Sequence, residues 1–283
     1  MDNTKIKLEP TAALVMKWGR NAFKNKTPQK FIEHLDLSSG SELYDKCNEI
    51  CEWYEEVIIN RKYFINDFIK SEISKNDKEY LIINLAAGKS PLALEVLEEN
   101  HKRIDKVLEI DVAGMDEKKE LYDKFFPEYS EKIKCITADI TSSSILSLLN
   151  SLLHEYYNNH NCIIVLEGVT YYLNKRDFER IISSFRSPYK NNLIVVEYMV
   201  PEDSLCEQRK NIPVEIFEII KNYSELDEIV TYSIDDLSAI FESNDAELKI
   251  MNNMIQIEKY RKGKNKYFRN TDEGWIECAV WRI

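Results

Sequence analysis

The sequence predicts an α/β fold built on a mostly parallel, doubly wound sheet, and three observations carry that expectation. Short apolar runs recur without polar alternation at residues 81–85 (LIINL), 162–166 (CIIVL) and 193–198 (LIVVEY), the pattern of strands covered on both faces. Stretches of helical periodicity lie between them, and alternating strands and helices imply parallel strands joined by right-handed crossovers. Acids follow three of the strands, Asp111, Asp139 and Glu167. They converge on the crevice at the carboxyl ends of the strands, where open α/β sheets bind ligands.

Taken in order, residues 1–78 read as helices with loops around Thr27-Pro28 and Ser38-Ser39-Gly40, and Ile50, Trp53, Tyr54, Val57, Ile58 and Phe64 form an apolar stripe that reads as core packing. The strand at 81–85 runs into a small-residue turn, Ala86-Ala87-Gly88. Ser90 is a favourable N-cap and Pro91 a favourable first helical residue, so the next helix is expected to aim its unpaired N–H groups at the turn, a setting that suits an anion. The second strand closes on Asp111, 23 residues after Gly88, where nucleoside-binding folds place the acid that holds a ribose diol. Only Gly88 is a glycine here, whereas close approach to a pyrophosphate uses G-x-G-x-x-G. A nicotinamide dinucleotide is therefore disfavoured, and S-adenosylmethionine, which carries an amino acid in place of a phosphate, fits the looser turn.

Further on, residues 134–138 (KCITA) form a strand ended by Asp139, and residues 142–156 a helix with Ile145, Leu148, Leu149, Leu152 and Leu153 on one face. Strand 162–166 ends at Glu167; Asn174 caps a helix over 175–185 that carries Phe178, Ile181, Ile182 and Phe185. Residues 201–243 read as an insertion containing Arg209, Lys210, Pro213 and a helical run at 214–223. The chain then reads as two strands, 247–257 and 274–283, joined by the basic run 259–266 (KYRKGKNK) as a solvated hairpin loop.

Composition narrows the function classes. The chain has 283 residues, 44% of them hydrophobic, enough for one large core with a cap. A net charge of −11 argues against a nucleic-acid surface, which needs clustered Lys and Arg. Six scattered cysteines, two of them in strands, read as reduced core residues; Cys47 and Cys51 lack a third partner because Tyr54 stands in its place. The four histidines show no ligand spacing, so no metal is expected. No long apolar window suggests a membrane span, and a cytoplasmic enzyme is the expectation.

The segments IINLAAGKS, VLEIDV, CITADI and VLEGVTYYL resemble the successive motifs of class I S-adenosylmethionine-dependent methyltransferases, and specifically the leucine carboxyl methyltransferase-like family. The resemblance covers roughly residues 61–198, and its most specific part is residues 167–173 (EGVTYYL). It implies a Rossmann-like fold, a mostly parallel seven-stranded sheet with a terminal antiparallel hairpin, in a core of residues 79–283. It also implies a helical cap, made by residues 1–78 and an insertion at about 201–243.

The resemblance further implies that Arg61 pairs with the cofactor carboxylate, that Asp111 accepts both ribose hydroxyls, that Asp139 and the backbone of Ile140 meet the adenine, and that Glu167 lies beside the methionine end. Ala86 and Gly88 form the cofactor turn. Two departures stand out: Ala86 occupies the place of the family's first glycine, tolerable with a negative φ, and Lys89-Ser90-Pro91 removes an acid from the turn. The implied activity is O-methylation of a small-molecule acceptor. A carboxylate acceptor, held by Tyr171, Tyr172 and Arg209 with Lys210, is favoured because it needs no base. A hydroxyl or phenol acceptor and a noncatalytic cofactor-binding protein are the alternatives, and the oligomeric state is left open.

Overall fold

Residues Tyr80–Leu85 form a strand buried along its whole length, and its alternation assigns the two layers. Leu81, Ile83 and Leu85 enter one apolar cluster and Tyr80 and Ile82 the other, so neither face of this strand meets water. The structure is a computed structural model that describes residues 5–145, 147–149, 151, 161–186, 191–224 and 228–283. Of the helix expected over 142–156, residues 145, 147–149 and 151 are helical, and 146, 150 and 152–156 lie outside the described residues.

Numbered along the chain, β1 (Ile6–Lys7) and β2 (Leu35–Asp36) make a small parallel pair. The main sheet contains β3 (Tyr80–Leu85), β4 (Ile104–Asp111), β5 (Ile133–Thr137), β6 (Asn161–Leu166), β7 (Leu193–Met199), β8 (Glu247–Asn253) and β9 (Ile276–Arg282). Its order is β5-β4-β3-β6-β7-β9-β8. The strands β3 to β7 are parallel and β9 is antiparallel to both neighbours. The expected fold class is thereby borne out: the chain winds outward from β3 to β5, then reverses at β6, and β3 and β6 flank the switch point where such sheets open a crevice.

Helices α1 (Pro10–Gly19), α2 (Lys26–Glu33), α3 (Ser41–Ile50) and α4 (Glu55–Ser74) precede the sheet, and α5 (Leu92–Asn100), α6 (Met115–Phe125), α7 (Pro127–Ser130), α8 (Lys175–Ser183), α9 (Asn211–Lys221), α10 (Ile234–Glu242) and α11 (Met254–Lys262) follow among the described residues. The cap at Asn174 is formed as expected, its side chain accepting from the Asp177 N–H at 3.0 Å. The N-terminal helices are packed into the sheet's own core: Trp18, Leu43, Tyr54 and Val57 share a cluster with the strand residues Ile83 and Ile164 and with Trp275 and Trp281.

Two local expectations are corrected. The basic run 259–266 is no hairpin loop: Asn253 and Gln256 form a reciprocal capping box that ends β8 early and starts α11. Lys259, Arg261 and Lys262 then fall in the last turn of that helix, where cations complement its dipole. Ser90 is likewise no cap. Its N–H closes a turn onto Ala87 O at 3.1 Å, the first helical bond runs from Glu95 N to Pro91 O, and the Ser90 hydroxyl is buried without a hydrogen-bond partner among the described residues.

Candidate functional site

The turn after β3 is tightly folded. Ala87 N–H donates to Ile110 O at 3.1 Å, which draws the turn across to β4. Ala86 has φ of +53° and Gly88 φ of +48°. The condition under which alanine is tolerated without strain, a negative φ, is not met: Ala86 lies in the left-handed region beside the Ala87 bond to β4, which costs an L-residue about 1 kcal/mol. At Gly88 an added Cβ would meet nothing within 4 Å, so the backbone faces open space. The Gly88 N–H donates to Asp111 Oδ2 at 2.7 Å and joins the turn to the tip of β4.

Turn and strand tip border a cavity of about 930 Å³ at the carboxyl ends of β3, β4 and β6. Arg61, Ala86, Gly88, Asp111, Glu167, Tyr171 and Tyr172 all line it. Thr11, Ala12 and Val15 of α1 form one wall, and Ser224, Glu228 and Val230 another. The helical N-terminus and the segment after β7 therefore both reach the cleft.

Behind the β6 tip lies a buried ionic network. Arg61 and Lys62, 3% and 4% exposed, project from α4 onto Glu167, just past β6, and Glu197 within β7. Arg61 Nη1 donates to Glu197 Oε1 at 3.1 Å and to the Tyr171 hydroxyl at 3.2 Å. Its Nε stands 3.4 Å from Glu167 Oε1, buried and without a hydrogen bond among the described residues. Lys62 Nζ donates to Glu167 Oε1 at 2.7 Å, and the Gly168 N–H to Glu197 Oε2 at 2.6 Å. Gly19 makes room for this lysine, since a Cβ there would lie 2.6 Å from Lys62 Cε.

Two cations face two anions away from water, so removing any one member would leave a buried charge uncompensated. Burial works against the Arg61 charge, yet Glu197, Tyr171 and Glu167 outweigh it and hold the guanidinium well above its usual range. Burial would raise the Glu167 carboxyl, but Lys62 and Arg61 hold it below the ordinary value. For Glu197 burial prevails over Arg61 and the Gly168 N–H, and its pKa is raised. Burial lowers Lys62, with Glu167 opposing, and burial and Glu197 raise the Tyr171 phenol well above its usual range.

Not every expected residue reaches the cavity. Asp139 sits beside Asp111, since Ala138 N–H donates to Asp111 O at 2.8 Å, but its carboxylate accepts from the Thr141 N–H and hydroxyl, both at 2.7 Å. Ile140 is buried in the core. Arg209 is not among the lining residues: its guanidinium lies 4.4 Å from the Trp53 ring centroid and donates to Tyr267 O at 2.9 Å, contacts that hold it away from the cleft. Lys210 pairs with Glu207. Of the two tyrosines, Tyr171 is buried against Arg61, while Tyr172 is 44% exposed at the mouth.

Lys62 and Glu197 escaped the sequence reading. The signal was present for Glu197, a carboxylate inside the otherwise apolar LIVVEY run, where burial without a partner would be costly.

The family model described as leucine carboxyl methyltransferase matches residues 17–186. No curated protein matches the chain. Among solved structures, one described as a putative methyltransferase from Thermobifida fusca aligns with a TM-score of 0.66 at 13% identity, covering 99% of this chain and 96% of its own. A DUF574 family protein from Streptomyces avermitilis aligns with a TM-score of 0.60 at 10% identity, covering 96% of each chain. At such identities the two likenesses speak for the fold.

Proposed function

This chain belongs to the leucine carboxyl methyltransferase family and is an S-adenosylmethionine-dependent methyltransferase, and from that premise we propose that it methylates an oxygen of a small-molecule acceptor, a carboxylate in the first instance. The residues around the cavity fit the cofactor. The open face of Gly88, the Asp111 carboxylate and the Arg61 guanidinium at the cavity wall supply, in turn, a backbone cradle, a diol acceptor and a cation for a carboxylate. On this reading Asp111 would hold the ribose hydroxyls and Arg61 the amino-acid end, while Glu167 would lie beside the ammonium.

When bound, the cofactor supplies an electrophilic methyl group on a sulfonium sulfur. The chain's own contribution is alignment and exclusion of water: α1 and the segment around Val230 wall the cleft, and the network of Arg61, Lys62, Glu167 and Glu197 fixes its floor.

The observation that supports a carboxylate acceptor is that, among the described residues, neither carboxylate of the buried network at this floor is free to act as a base and no imidazole is present. Glu167 is held ionised and engaged by two cations, Glu197 is fully buried on Arg61 and Gly168, and no histidine lines the cavity among the described residues. A carboxylate needs no proton removed; Lys62 and the exposed Tyr172 hydroxyl would orient it.

One observation favours the second reading, a hydroxyl or phenol acceptor: burial lowers the pKa of Lys62, which brings its amine closer to use as a base. The pH dependence of kcat separates the two. A carboxylate acceptor predicts a plateau from about pH 6 to pH 9, since carboxyl groups are ionised throughout. A rate that climbs across that range and flattens in Lys62→Met would transfer the assignment to a hydroxyl.

A further inference from the structure

A second cavity, of about 300 Å³, opens between α4, β8 and α11 and shares no lining residue with the cleft. Its walls are aromatic, Tyr63, Phe64 and Phe68 from α4 and Tyr260 from α11, and Asn252 and Gln256 stand at its polar edge. The Tyr63 and Tyr260 rings are 6.2 Å apart and tilted by 54°, and those of Phe64 and Phe68 lie 6.5 Å apart at 15°. Asp67 lines the same space one helical turn after Tyr63, and, after burial, its charge contributes to raising the Tyr63 phenol.

Among the described residues Asp67 makes no hydrogen bond or ion pair, although cations are close in sequence and space. Lys70 is engaged by Glu95 and Glu99, both at 2.8 Å, and Arg261 by Glu56. A half-buried carboxylate against aromatic walls is costly without a partner. Its presence disfavours an anionic ligand, and a purely apolar ligand would leave it uncompensated. The Tyr63 ring does accept a cation, since Lys24 Nζ lies 5.2 Å from its centroid.

We propose that this cavity binds a small organic cation, a tertiary or quaternary ammonium, whose head lies among Tyr63, Phe64, Phe68 and Tyr260 and is balanced by Asp67. Ring faces attract such heads electrostatically while tolerating their methyl groups, and the volume is of the size that takes a small ligand.

Titration calorimetry on the full chain, with the cleft saturated by S-adenosylhomocysteine to keep the probe out of it, tests the assignment. The probes are choline and its neutral isostere 3,3-dimethylbutan-1-ol. Choline should bind saturably, and the isostere at least about tenfold more weakly. Asp67→Asn and Tyr260→Ala should each weaken choline by about tenfold or more while leaving the S-adenosylhomocysteine affinity unchanged; Tyr260 is 71% exposed, so its truncation does not challenge the fold. Equal affinity for the two probes would overturn the cation, choline binding untouched by both substitutions would overturn the location, and no saturable binding would overturn the proposal altogether.

Discussion

Ala86 and Asp111 show how much of the site is decided by single residues. Ala86 occupies a left-handed conformation that glycine adopts without strain. Ala86→Gly should therefore raise stability by a few tenths of a kcal/mol, about 0.5 kcal/mol at most, because the added freedom of the unfolded chain offsets much of the penalty relieved. Urea unfolding of the two proteins measures it, and a destabilised glycine variant would mean that the alanine methyl packs more than its φ costs. Asp111 joins the turn to β4 through Gly88 and faces the cavity. Asp111→Ala should weaken S-adenosylhomocysteine by about 2–3 kcal/mol, the worth of charge-assisted hydrogen bonds to a diol. Unchanged affinity in calorimetry would place the ribose elsewhere.

At the scale of elements, the cleft depends on helices that the sequence marks only as core. In α4, Val57 and Ile58 satisfy the apolar stripe, but the same helix buries Arg61 and Lys62, and no periodicity distinguishes a buried cation from one on a solvated face. The helix α1 is held by Gly40, where a Cβ would stand 2.7 Å from Leu14 N and 2.8 Å from Ala13 Cβ. Gly40→Ala should push α1 from its seat and cost about 1–3 kcal/mol, as overpacking does. Because Thr11, Ala12 and Val15 wall the cavity, cofactor affinity should fall along with the melting temperature. A variant that melts lower yet binds S-adenosylhomocysteine as before would show that the wall is dispensable. The end of the chain teaches the converse lesson. An apolar alternation continues past residue 253, but the local side-chain bonds of Asn253 and Gln256 stop the strand, because a capped helix start satisfies backbone groups that an extended edge would leave open.

Across the whole molecule, the buried charges set opposing responses to pH. Glu167 has a pKa below its ordinary value of 4.5, so the unfolded chain binds its proton more readily, and the stability it contributes is present above pH 4.5 and lost as pH falls through its folded value. Glu197 and Glu109, pushed up by burial, act with the other sign: their contribution is full below 4.5 and is lost as pH rises through their folded values. The stability gap between the natural protein and Glu167→Gln should therefore be widest near neutrality and shrink below about pH 4.5. Denaturant unfolding across that range reads it directly, and a gap that stays constant from about pH 7 to pH 3 would remove Glu167 from the acid response. The Glu109–Lys118 pair, with Tyr122 donating to the same carboxylate at 3.1 Å, is wholly buried on the α6 side of the sheet and is independent of the cleft.

By itself the sequence determined the sheet, its mostly parallel order of strands and helices, and the placing of Asp111 and Glu167 at strand ends, because a strand buried on both faces must be an unbroken apolar run and whatever polar residue follows it stands at the sheet's edge. It also carried the family, through motifs that are local in the chain. Only the tertiary structure decided that Ala86 lies at positive φ, that Arg209 rests on Trp53 instead of entering the cleft, and that Lys62 and Glu197 complete the network around Arg61 and Glu167. Those outcomes depend on contacts between residues far apart in the chain, 136 positions for Arg61 and Glu197. A buried ion pair is favourable only when both partners arrive together, and no stretch of chain records its partner's arrival.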